Sequence, residues 1–467
     1  MLQMALNKAR IGSFSPEEYP CSNFEHPLAS TQAALDFAFK LQFVPMTTFA
    51  GQVADGSTTT TMVTHFVLVP MMAQGHIIPM TDLARLLAES GAQVSLVTTP
   101  VNAARMDGFV AAVEEAGLPV QLLELPFPAA EYGLPDGCEN MDMVPSKDLF
   151  KNFVEACGAL REPLAACLRQ QRPPPSCVIS DVMHWWTGDI ARELGIPRLT
   201  FNGFCTFASL ARYIMYRDNI LEKATDEEEI ISFPGFPTPL ELPNAPEVCV
   251  FQLETLYIES MERMTGKKVW TVGPMCLCHK DRSTMAARGN KASMDEAQCL
   301  QWLDSKEPAS VIFVSFGSLV STEPQQLLEL GMGLEASKTP FIWVIKAGNK
   351  SAEVEEWLAQ GFEERVKDRG MIIRGWAPQM LILWHQAIGG FMTHCGWNST
   401  IESICASVPM VTWPHFAEQF VNEKLVVDLL KTGVEVGVEG VTQWASEQKE
   451  VMVTRNAVLT AVSHADE

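Results

Sequence analysis

The sequence predicts an α/β protein with parallel sheets, organised as two successive domains. Three observations carry this. Apolar, β-branched runs alternate with segments of helical periodicity, the pattern of strands joined by crossover helices. That strand, loop and helix pattern restarts once, well into the chain. A length of 467 residues also exceeds what one hydrophobic core organises.

The first strand is read at His65-Phe66-Val67-Leu68-Val69-Pro70. A loop from Met71 to His76 follows, with Gly75 supplying backbone freedom just before the histidine. Pro79 suits the first turn of a helix, Leu83, Leu86 and Leu87 recur at helical spacing, and Gly91 stops it. Gln93 to Thr98 is the next strand. Cys177-Val178-Ile179-Ser180-Asp181 is an apolar strand ending on a carboxylate, ahead of a helical segment starting near Val182. Val248 to Leu253 also reads as a strand. The pattern restarts at Val311 to Phe316, turns at Gly317-Ser318, and continues in a helix from about Gln325 to Ser337. Val272-Gly273-Pro274 and the polar stretch 279–293 read as a linker. The expected organisation is an unassigned extension over 1–60, a Rossmann-like domain over 61–275, a linker over 276–293 and a second Rossmann-like domain over 294–467.

Composition narrows the partners. The chain is 47% hydrophobic and 19% charged, an ordinary globular balance. Its formal charge of −22 argues against nucleic acid and anionic membrane surfaces. No run is long and apolar enough for a membrane span. The N-terminus, broken by Lys8, Arg10, Glu17 and Glu18, does not read as a signal or transit peptide. Twelve cysteines without a regular framework fit reduced thiols, hence a cytoplasmic location. Cys276-Leu277-Cys278-His279 hints at a metal, but no second ligand pair follows. Neither domain carries G-x-G-x-x-G, so a nicotinamide enzyme on the same architecture is disfavoured. No Asp-x-Asp occurs either, which removes the usual carboxylate pair for a metal bridging a diphosphate.

The most informative stretch runs from Trp376-Ala377-Pro378-Gln379 to Ala417-Glu418-Gln419, 44 residues. It holds an aromatic ring for stacking, a helix opening after Gly396 whose backbone N–H groups suit phosphate, and carboxylates and amides suited to paired hydroxyls. That combination fits a nucleotide sugar. The stretch resembles the plant secondary product glycosyltransferase box of the family 1 UDP-dependent glycosyltransferases: W-A-P-Q, I-L-x-H, F-x-T-H-C-G-W-N-S, E, V-P-M, W-P and E-Q at that family's spacing. The similarity extends from about Thr64 to the end.

The resemblance implies a GT-B fold, two Rossmann-like domains facing across a cleft, with the acceptor bound mainly by the first and the donor by the second. It implies transfer of glucose from UDP-glucose, a co-substrate, with no bound cofactor and no metal. The acceptor would be a small hydrophobic hydroxylated metabolite such as a flavonoid or terpenoid, and the enzyme a monomer. Trp376 would stack on uracil while the Ala377 backbone reads the base edge. Glu402 would hold the ribose, and His394, Gly396, Asn398, Ser399 and Ser318 the diphosphate. Glu418 and Gln419 would bind hexose hydroxyls. Trp397 with Gln419 resembles the glucose users of the family.

For the catalytic base, a histidine titrating near neutrality is suited to take the acceptor proton. Of nine histidines, His76 in Gln74-Gly75-His76-Ile77-Ile78-Pro79 stands where such folds expose side chains, though a packed or capping role is an equal reading from position alone. The resemblance makes it the base and Asp181 its orienting acid. Asp181 also reads as a helix N-cap. Asp142 reads as shaping the acceptor loop, His385 as structural, and His65, His184 and His415 as packing residues. Phe204, Phe207 and Met183 suit an apolar pocket or a core. The sequence departs from the family at Ser407, where a glycine is usual, at a short join over Pro243 to Val248, and in ending soon after a helix near Asn456. These departures leave a second reading open, a weakly active or inactive UDP-sugar-binding relative.

Overall fold

The computed structural model describes residues 63–218, 250–320, 322–346, 352–438 and 453–465. The extension 1–60 and the join at Pro243 to Val248 lie outside them. The chain divides into two compact units, one comprising residues 1–201 with 275–291, the other 202–274 with 292–467.

In the first unit five parallel strands lie in the order β3-β2-β1-β4-β5: β1 (His65–Val69), β2 (Gln93–Thr98), β3 (Val120–Glu124), β4 (Cys177–Asp181) and β5 (Arg198–Phe201). β1 and β4 are buried along their whole lengths, which is why both read as unbroken apolar runs. The order in which strands are added reverses between β1 and β4, a switch point where ligands gather beyond the carboxyl ends of strands. Helix α1 (Gln74–Glu89) follows β1 and α2 (Thr187–Glu193) follows β4.

α1 begins five residues before Pro79, so the expected loop over Met71 to His76 is half helix, and Gly75 is helical with open space around it. Proline's fixed φ is itself helical, so it marks compatibility with a helix and not its first residue. The stop is as expected. Gly91 at φ 87 and Ala92 donate to the Ala88 and Leu87 carbonyls in a Schellman closure.

Residues 276–293, expected as a linker, hold a 3-10 turn (Met275–Cys278) and a short helix (Arg282–Ala286). Residues 275–291 belong to the first unit. Asp82, buried on α1, accepts from His279 Nε2 at 2.8 Å and from Arg288 at 3.0 Å. Burial would raise the Asp82 carboxyl, but the Arg288 and His279 charges and hydrogen bonds together hold it below its ordinary value.

The second unit repeats the winding with six parallel strands in the order β8-β7-β6-β9-β10-β11: β6 (Val311–Ser315), β7 (Phe341–Ile345), β8 (Gly370–Arg374), β9 (Ile388–Thr393), β10 (Met410–Thr412) and β11 (Gly433–Glu435). β6 shows the logic of a doubly covered strand. Val311 and Phe313 enter one core cluster, Ile312 and Val314 the other.

Helix α3 (Thr206–Arg217) packs on α4 (Val250–Thr265) through Phe207 and Tyr257, whose rings meet edge to face at 5.0 Å. Both pack with Leu425, and the described residues of 202–274 cluster with this unit. Of the strand expected over Val248 to Leu253, residues 248 and 249 lie outside the described residues, and from Val250 on the chain is instead the start of α4. A short apolar run cannot distinguish the two periodicities. Phe204 and Phe207 join this core, and Met183 packs on the core of the first unit.

The remaining helices of the argument are α5 (Pro324–Ser337), α6 (Trp397–Cys405), α7 (Gln419–Lys424) and α8 (Arg455–Ala465). α8 lies against α5 so closely that a Cβ on Gly333 would stand 2.6 Å from that of Val458. Among the described residues no helix is long and apolar enough to cross a membrane.

Candidate active site

At the carboxyl end of β1, Ala73 is extended at φ −148 and its carbonyl accepts the His76 and Ile77 N–H groups, opening α1. His76 therefore sits in the first helical turn. At the carboxyl end of β4, Asp181 divides its carboxylate. Oδ1 accepts the Met183 N–H at 2.9 Å, and Oδ2 accepts His76 Nδ1–H at 2.7 Å. Asp181 thus both meets His76 and caps backbone, but the backbone it caps is a turn and the helix waits until Thr187.

Asp181 is fully buried, while His76 keeps 18% of its side chain exposed. Burial pushes the Asp181 carboxyl up, but the hydrogen bond and charge of His76, with the Met183 N–H, bring it below the ordinary carboxylate value. With a carboxylate at Nδ1, the imidazole carries its proton there and Nε2 is the basic atom.

His184, read from the sequence as a packing residue, and Arg198, which the sequence did not single out, hold the turn beyond β4. His184, buried, reaches the Pro70 carbonyl through Nε2 at 3.0 Å and so ties the turn after β4 to the end of β1. Arg198 donates to Ser180 Oγ, Thr187 Oγ1 and the His184 carbonyl. Asp142 accepts both its contacts from Arg105 Nη1, at 2.8 and 2.9 Å, in keeping with a loop-shaping role. His65 bonds Ser95 Oγ and the Pro173 carbonyl, a structural use. Cys278 and His279 gather with Asp82 as three groups of metal-ligand type. The Arg288 guanidinium already neutralises that carboxylate.

In the second unit the candidate residues follow the ends of β6, β8, β9 and β10. His394 is wedged between two glycines, since a Cβ on Gly317 would stand 2.6 Å from its ring and one on Gly396 would also collide. Burial lowers the ring's pKa to about 3, helped by nearby His415, which burial lowers to about 4, so both are neutral at physiological pH. Gly396 then opens α6, which no side chain caps. The helix dipole and first-turn N–H groups there suit an anion, and Gly317, which precedes Ser318 in the turn after β6, lies against the His394 ring. α6 closes as expected of a helix with a left-handed end. Ser407 stands at φ 58, and Ser407 and Val408 donate to the Ile404 and Ser403 carbonyls.

Trp376 is clamped by its backbone, its N–H donating to Ser293 Oγ at 2.7 Å and its carbonyl accepting the Ser293 N–H at 2.8 Å. Ala377 beside it is buried. Gln379 donates to Ser399 Oγ at 3.0 Å and to Glu402 Oε2 at 2.8 Å, fixing the carboxylate expected to hold ribose. Gln379, seen in sequence as one letter of a motif, is the brace of that site.

Glu418 precedes α7, and Gln419 is its first residue. Gln419 is buried, its Oε1 accepting the His415 and Phe416 N–H groups at 2.8 and 3.1 Å. Its amide nitrogen is therefore the face left for a ligand. Trp397 is half-buried and packs on the core that holds Phe207, Tyr257 and Leu425. Cys395 and Ala417, just ahead of Gly396 and Glu418, stand at φ 62 and 58, left-handed backbone of the kind that collects at functional turns. His385 is structural, as expected, bonding Asp304 at 3.1 Å and the Ala387 N–H.

Comparison with known proteins gives the family. Residues 280–452 match the family described as UDP-glucoronosyl and UDP-glucosyl transferase. UDP-glycosyltransferase 73C11 of Barbarea vulgaris is 43% identical over 430 residues, 85% of this chain and 87% of the relative. Among solved structures, Glycyrrhiza uralensis UGT73P12 complexed with glycyrrhetinic acid 3-O-monoglucuronide superposes with a TM-score of 0.76 at 35% identity over 87% of both chains. Arabidopsis thaliana UGT89C1 complexed with UDP-L-rhamnose gives 0.68 at 27% identity over 87% of this chain and 91% of that one. With two doubly wound parallel sheets of the GT-B kind, the chain belongs to the plant family 1 UDP-glycosyltransferases, in their UGT73 group, and is a UDP-glycosyltransferase acting on plant metabolites.

Proposed function

We propose that this enzyme is an inverting, metal-independent UDP-glucose O-glucosyltransferase that works in the cytoplasm on a small hydroxylated metabolite such as a flavonoid or terpenoid. The observation that carries it is the 2.7 Å contact of His76 Nδ1 with Asp181 at adjacent strand ends. His76 Nε2 takes the acceptor hydroxyl proton while the oxygen forms its bond to the anomeric carbon. The bond from that carbon to the diphosphate breaks, and UDP leaves with the electron pair. Asp181 steadies the imidazolium. One displacement inverts the α-linked sugar to a β-glucoside.

Donor contacts follow the site of the second unit. Trp376 stacks on uracil beside the Ala377 backbone, and Glu402, held by Gln379, takes the ribose hydroxyls. Ser318, His394, Asn398 and Ser399 surround the diphosphate at the Gly396 helix start. Trp397, Glu418 and the Gln419 amide face the hexose. The helix N-terminus supplies the positive end that a metal would otherwise provide.

The test is incubation of purified protein with UDP-glucose and a panel of phenolic and terpenoid alcohols in EDTA. Turnover unaffected by chelator and a β-anomeric proton coupling in NMR are expected. Activity restored only by Mg²⁺ or Mn²⁺, or an α-glucoside, overturns the mechanism. UDP-glucose binding with no product on any acceptor would leave a non-catalytic relative.

A further inference from the structure

Below the donor turn lies a carboxyl that the proposed mechanism does not use. Glu423, on α7 four residues after Gln419, is buried. Its Oε2 stands 2.7 Å from Thr412 Oγ1 at the end of β10, and the same hydroxyl lies 3.2 Å from the Val434 carbonyl on β11. A threonine hydroxyl has one proton to give. If Glu423 is ionised, two acceptors compete for that proton. If Glu423 is protonated, its O–H donates to Thr412 Oγ1 and the Thr412 O–H donates to Val434, so both contacts are satisfied at once.

The surroundings favour the neutral form. On the same helical run, Lys424 is engaged by Glu435 at 2.7 Å, and Asp428 adds a negative charge, as Glu435 on β11 also does. Cys395, at the end of β9, is a deeply buried thiol whose own ionisation Glu423 opposes. Burial accordingly raises the Glu423 carboxyl to about 7, with Glu435 and Asp428 adding to it against the Thr412 hydrogen bond and Lys424.

Position gives this a consequence. The neighbouring Asn422 donates to the Cys395 carbonyl at 2.9 Å, gripping the left-handed residue that sets up Gly396 and the start of α6. We infer that Glu423 is a positioning residue that acts as a neutral hydrogen-bond donor, keeping negative charge away from the turn that receives the donor's diphosphate. The inference rests on the UDP-glucose reading above. As pH rises, ionisation of Glu423 removes one hydrogen bond and places an anion beneath an anion site. The two phosphates of UDP-glucose keep one charge each over this range, and His394 and His415 are already neutral.

The experiment is equilibrium binding of UDP-glucose to wild type and Glu423→Gln from about pH 6 to about pH 8.5, with an infrared titration of the carboxyl band. The glutamine amide can donate to Thr412 as the acid does. Wild-type Kd is expected to rise roughly three- to tenfold, the order for partly screened like charges, while Glu423→Gln stays flat. A protonated-carboxyl band present at neutral pH, lost near pH 8 and missing from the variant, supports the same conclusion should the variant fold poorly. A pH-independent wild-type Kd, an equal rise in both proteins, or an infrared spectrum showing Glu423 ionised at pH 6 overturns the proposal. Absence of UDP-glucose binding at every pH overturns the donor reading instead, and the infrared titration still decides the protonation state.

Discussion

The tautomer of one imidazole governs the chemistry proposed here. Asp181 Oδ1 is committed to the Met183 N–H and Oδ2 to His76. In Asp181→Asn the amide oxygen would stay with Met183 and the NH₂ would face His76 Nδ1, forcing the proton to Nε2, where the base is needed. The expected loss in kcat is about 10³–10⁴, comparable to the wrong-tautomer variants of hydrolase triads. His76→Ala should lose about 10²–10⁴ in kcat with UDP-glucose affinity near wild type, since the donor residues belong to the other unit. Full turnover by either variant on a weakly acidic alcohol would refute the assignment. In the donor site proposed above, Gln419 turns only its amide nitrogen to the sugar, because its oxygen holds the His415 and Phe416 N–H groups. Gln419→His cannot accept both of those and still donate in the same direction. Its kcat/KM ratio for UDP-glucose over UDP-galactose should fall by about 10-fold or more, since hydroxyl discrimination depends on matched hydrogen bonds. An unchanged ratio would show that Gln419 does not read the sugar.

At the scale of elements, the site is made where strands end and helices begin, and each such junction has a backbone device behind it. α1 is opened by the Ala73 carbonyl, α6 by left-handed Cys395 and uncapped Gly396, α7 by left-handed Ala417. α6 closes on Ser407, an exposed side chain at φ 58 that forms the Schellman bonds without glycine's freedom. Holding an ordinary residue there costs roughly 1 kcal/mol, less the entropy that a glycine would add to the unfolded chain. Ser407→Gly should therefore raise the thermal midpoint by about 2 °C and leave kcat within error. A lowered midpoint would mean that Ser407 makes a stabilising contact worth more than its strain.

For the whole molecule, the alternation of apolar runs and helical periods was enough to give two doubly wound sheets, because strands covered on both faces leave an unmistakable sequence trace. His76, Asp181 and the 376–419 stretch were legible for a different reason: they are contiguous motifs, or they stand at strand ends. What stayed hidden depends on contacts between distant residues. Ser293 clamps Trp376 from 83 positions away, His184 reaches back 114 to Pro70, and helix α4 shares with its expected strand the same apolar composition. Net charge is a property of the entire chain, and it yields a prediction of its own. At −22 the far field repels an anionic donor, so capture must come from the helix start at Gly396 and neutral donors around it. Salt shortens the reach of the far field from about 30 Å at 0.01 M to about 8 Å at 0.15 M and touches the buried site much less. The KM for UDP-glucose should therefore stay level or fall by up to about twofold over that range of NaCl. A severalfold rise would mean that a long-range positive field, and not local dipoles, brings the donor in.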